Sequence, residues 1–211
     1  MPVAGAVVFV ILYIIAACLY PGGSQFDEHS VGFSIVHNYW CNLLNETAIN
    51  GRPNGGRTTA LIALFVLCAS LAFFWLQFPV YMRIGRVHRL VIQAGGGLAM
   101  TTAVLLLSSL SHDLVIDAAC GFGLAAIIGT IVCLYKYGWY FLFAFGLFNL
   151  VLVGFNNLFY YTPDLIRYLP VVQKISFAAF LVWICAICIR VYREGGYGRA
   201  SRAEQQAASD T

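Results

Sequence analysis

The chain has 211 residues, of which 61% are hydrophobic and 10% charged, against roughly 45–50% and 25% in an average soluble domain. That leaves too little polar surface for a fold solvated by water. The net charge of +3, with no basic run interleaved with aromatics, gives no support to nucleic-acid binding.

In chain order, the first apolar run, residues 3–20, lacks the basic leader and small-residue cleavage site of a secretory signal and reads as a retained span. Five more follow at 58–82, 90–110, 114–135, 139–161 and 170–191, each near the roughly 20 residues that a 30 Å hydrocarbon layer requires. At that length helices are expected, because a helix satisfies its own backbone in lipid. The expected fold is all-α: a polytopic transmembrane bundle of six helices over residues 1–192, with a disordered cytoplasmic tail over 193–211. Between the first two spans, Phe33, Val36, Trp40 and Leu43 recur at helical spacing, with Ser34, Asn38, Cys41, Asn42 and Asn45 on another face. This predicts a short amphipathic helix in the exterior loop, its Asn row either facing water or lining a pocket over the bundle. Small residues, Gly95 to Gly97 in span 3 and Gly121, Ala125 and Gly129 in span 4, predict close helix packing.

Sidedness follows from the basic residues. Arg83, Arg86, Arg89, Lys136, Arg190, Arg193, Arg199 and Arg202 fall on the side shared by both termini. Arg52, Arg57, Arg167 and Lys174 fall on the other. The excess of eight over four predicts cytoplasmic termini in a plasma (inner) membrane. Six of the seven cysteines lie inside predicted spans, where Cys acts as a small hydrophobe; Cys41 is in the exterior loop, with Cys18 as its candidate partner.

The residues that break the apolar pattern gather at the exterior face. Asp113 is placed to cap span 4, and Asp117 one turn deeper is an acid inside a span, which calls for a partner or a purpose. Lys174, His112 and Arg57 are its candidate partners, and Asn156 and Asn157 add amides at similar depth. The candidate ligand-binding set is therefore Asn38, Asn42, Arg57, His112, Asp117, Asn156, Asn157 and Lys174. His112, Asp117 and His37 are the candidates for catalysis. No fixed metal-ligand spacing is present, so neither metal nor cofactor is expected.

Tyr20-Pro21-Gly22-Gly23-Ser24, Gly32-Phe33-Ser34, Asn38 through Leu44, Asn50 through Asn54, and His112-Asp113 together resemble a bacterial six-span membrane family known as domain of unknown function 998. The likeness covers nearly the whole chain and implies six spans with an exterior polar motif, but no activity. Such proteins usually show something nearer Ser-Asp-Leu-Gly where this chain has Cys41-Asn42-Leu43-Leu44, so a neutral amide stands in for an acid.

Three functional classes fit these residues. The first is a non-catalytic, scaffold-like membrane protein with lipids as partners, recognising a headgroup or small polar ligand at the exterior cluster through amides and Arg57. The second is a membrane-embedded lipid hydrolase using a His and Asp117 as base and orienting acid. The third is a small-molecule transporter, which lacks a pair of broken helices.

Overall fold

The computed structural model describes residues 1–105 and 112–209, with side chains over 1–105, 115 and 117–194. Six helices make up the fold: α1 (Pro2–Cys18), α2 (Arg57–Tyr81), α3 (Arg86–Val104), α4 (His112–Lys136), α5 (Tyr140–Tyr161) and α6 (Leu169–Ser209). They occupy the apolar runs expected from the sequence. Among the described residues, four stretches are long and apolar enough to cross a membrane: Arg57–Tyr81, Asp117–Lys136, Tyr140–Tyr161 and Ile166–Glu194. The other two helices differ for identifiable reasons. The 17 residues of α1 rise only about 26 Å, and α3 carries Arg86, Arg89 and Gln93 in its first turns.

Each helix packs against its neighbours in sequence, and α1 returns to pack on α6, so the six close into a ring. Glycine sets the closest approaches. A Cβ at Gly96 would stand 2.1 Å from Cγ of the fully buried Trp75, and one at Gly95 would stand 2.9 Å from the Phe122 carbonyl. Hence α3 can lie flat against both α2 and α4. Gly97 and Gly121 face open space instead, so only part of each small-residue row serves packing. Polar side chains add local ties: Gln93 Nε2 donates to Leu76 O at 2.8 Å, His88 Nε2 lies 2.7 Å from Gly129 O, and Trp183 Nε1 donates to Leu142 O at 2.8 Å.

The outer surface is apolar. Val10, Ile14, Phe65, Phe141, Val151, Phe155 and Val182 are all exposed, an arrangement that costs free energy in water and none in hydrocarbon. Together with the four long apolar helices, this marks a membrane protein.

The expected amphipathic helix over 33–45 is not formed. Its place is taken by a turn at 35–37 and a single 3-10 helix, Trp40–Leu44. The cause lies in the asparagines, whose side chains compete for the backbone groups a helix would use. Asn38 Oδ1 accepts from Ser34 N at 2.8 Å, and Asn42 Oδ1 accepts from Tyr39 N at 2.7 Å. The loop as a whole folds into a compact cap over one end of the ring. Two isolated antiparallel bridges, Gly22 with Val31 and Thr47 with Pro53, fasten it. Gly23 is required there: its φ is +84°, and a Cβ would stand 2.4 Å from Asn50 N.

Candidate functional site

The cap contains most of the polar residues singled out in the sequence, and the structure shows what their hydrogen-bonding groups do. Asn38 is fully buried, with Nδ2 donating to Gly23 O at 2.8 Å. Asn54, also buried, turns its amide nitrogen toward three carbonyls, Leu43 O and Asn45 O at 3.0 Å and Asn42 O at 3.4 Å. Its Oδ1 accepts from Gly56 N at 3.0 Å, joining the cap to the start of α2. Arg57, on the first turn of α2, donates from Nε to Leu44 O at 3.1 Å and pairs with Glu46 at 3.0 Å. Tyr20 Oη accepts from Ile49 N at 3.1 Å. Apart from the Arg57–Glu46 pair, each of these bonds joins a side chain to a backbone group of the cap or its hinge that irregular structure would leave unpaired.

A second set docks the cap onto the ring. Lys174, near the start of α6, donates from Nζ to Asn38 O, and to Pro170 O at 3.0 Å. Its ammonium also stands 5.6 Å from the Trp40 ring centroid and 5.7 Å from that of Phe33, within cation–π range. Gln173 Oε1 accepts from Trp40 N at 3.2 Å. Trp40 meets Tyr13 of α1 edge-on at 5.0 Å, and Tyr20 meets Phe33 at 5.7 Å. The cap is thus held by α1, α2 and α6 through an aromatic and cationic contact. Burial holds the phenols of Tyr20 and Tyr39 above their ordinary value, with the Cys41 thiol and Tyr160 phenol adding to the effect at Tyr39.

The remaining candidates do not join this group. Asn156 Nδ2 donates to Ser176 Oγ at 2.5 Å and ties α5 to α6, while exposed Asn157 donates to Val153 O at 3.0 Å within its own helix. His37 is exposed, its ring edge-on to Phe26 at 5.4 Å. Asp117 is exposed and, among the described residues, has no hydrogen bond or ion pair. Lys174 and Arg57, two of its expected partners, are engaged by the cap. The His112 side chain and the capping role of Asp113 fall outside the described side chains, and residues 193–209, expected as a disordered tail, continue α6 as helix. Cys18 is an exposed thiol and makes no disulfide with Cys41. Among the described residues, no group of three or more His, Cys, Asp or Glu side chains could hold a metal ion.

Sequence reasoning missed Gln173 and underrated Asn54. For Asn54 the available signal was its place in Pro53-Asn54-Gly55-Gly56, a turn sequence directly before a helix. The chain matches no family model, no curated protein and no solved structure.

Proposed function

We propose that this is a six-span integral protein of the plasma membrane with both termini cytoplasmic, and that it acts as a non-catalytic scaffold whose exterior loop is a rigid cap. The observation that carries this reading is the direction of the cap's amides: Asn38 and Asn54 are buried and bonded to backbone carbonyls. Headgroup recognition through Asn38, Asn42 and Arg57 draws less support, because the Asn38 amide and the Arg57 guanidinium are already engaged and Asn42 is buried. Ring closure favours six spans over four, since α3 lies between α2 and α4 and α1 between α2 and α6. The resemblance to the six-span family of unknown function agrees with that count.

The test is Asn38→Ala and Asn42→Ala in purified, detergent-solubilised protein, with thermal unfolding and retained lipid measured together. Architectural amides lower the melting temperature and leave lipid retention unchanged. Loss of one lipid class at unchanged melting temperature would instead establish a ligand pocket and refute the scaffold reading.

A further inference from the structure

At the end of the ring opposite the cap, α2 and α6 part around a groove of about 760 Å³, walled by the first residues of α1. Its α2 wall presents Phe73, Gln77 and Tyr81, spaced four apart and therefore stacked along one face. The α6 wall presents Ile189 and Arg193 at the same spacing. The groove is graded along its length: phenylalanine and isoleucine lie deeper in the apolar stretches of α2 and α6, tyrosine and arginine at the ends of those stretches. From Phe73 to Tyr81 the helix rises about 12 Å, most of the depth of one leaflet.

The charges at the rim are unequal. Arg190 is paired with Glu194 at 2.9 Å, whereas Arg193, among the described residues, has no carboxylate partner. A guanidinium above an apolar channel matches the phosphate above an acyl chain. Most of the basic residues in the sequence also belong to this end of the helices, so the surrounding field favours an anion. We propose that this groove binds one anionic phospholipid of the leaflet facing the basic end, an acyl chain between α2 and α6 and its phosphate on Arg193. The proposal rests on the membrane reading but not on the role of the cap.

It is tested by native mass spectrometry of the full chain exchanged against equimolar phosphatidylglycerol and phosphatidylcholine of matched chain length. Retention should favour phosphatidylglycerol roughly fivefold, and Arg193→Gln should abolish the preference. Ile189→Trp, which fills the groove from α6, should reduce retention of both lipids; Val80→Trp reads the same groove from α2 should the first variant not fold. Asn38→Ala, in the cap, should leave both the retention and the preference unchanged. Equal retention of the two lipids by the unmodified chain, or a preference indifferent to Arg193→Gln, overturns this proposal alone. So does a bound second copy of the chain that Ile189→Trp displaces while lipid stays.

Discussion

At the scale of the residue, the cap depends on a few amides that each satisfy several backbone groups. Asn54→Ala leaves the carbonyls of Leu43 and Asn45 and the Gly56 amide without partners, and should cost about 1–3 kcal/mol in unfolding free energy. Denaturant melting in detergent measures it, and a shift indistinguishable from zero would show the bonds to be incidental. Tyr20 adds a pH dependence of known sign. Its folded pKa lies above the ordinary 10.0, so its contribution to stability is intact below that pH and is lost as pH rises through the raised value. Tyr20→Phe should flatten the alkaline part of the stability curve, at the cost of the bond from Ile49 N. The asparagine row was plain in the sequence. What Asn38 and, outside that row, Asn54 would bond was not, because the acceptors, Gly23 O and Leu43 O, lie 15 and 11 residues away in an irregular loop with no periodicity to read.

At the scale of the element, helices and cap differ in how far the sequence specifies them. A run of apolar residues bounded by charge or glycine sets most helix ends to within a residue or two, as 58–82 against Arg57–Tyr81, whereas α3 starts at Arg86 rather than 90 and α6 continues past 191 to Ser209. The cap defeats the same reasoning, since spacing that suited a helix coexists with asparagines that outcompete its backbone bonds. Docking of the cap turns on Lys174, so Lys174→Gln should leave the helices intact while residues 21–56 become cleavable by protease several-fold faster. An unchanged cleavage rate would mean that the aromatic contacts alone hold the cap. Packing of α3 gives a paired test. Gly96→Ala drives a methyl into Trp75 and should destabilise by roughly 1–3 kcal/mol, whereas Gly97→Ala meets nothing within 4 Å and should be neutral or slightly stabilising. Equal effects from the two would contradict the placement of α3 against α2.

At the scale of the whole molecule, the chain is apolar on both sides of its packing, with aromatic and aliphatic side chains outward as well as in the core, where they are joined by tryptophans and a few amides. Composition made the membrane setting legible, and charge counting supplied an expected sidedness that the bundle by itself does not fix. The candidate site was legible only in part: the sequence brought the polar residues to one face, but Asp117 on α4 and the cap on α1, α2 and α6 belong to different contacts of the ring.

The number of spans has a consequence that separates six from four. If all six helices cross, the cap and the tail lie on opposite sides of the membrane; if only the four most apolar ones cross, they lie on the same side. A single cysteine placed at Val31, 97% exposed on the cap, and another at Ser209, the last residue of α6, can be labelled in intact cells with a membrane-impermeant maleimide, in a background lacking the native thiols. The account predicts that Val31→Cys is labelled from outside and Ser209→Cys only after the membrane is permeabilised. Labelling of both from the same side would contradict it.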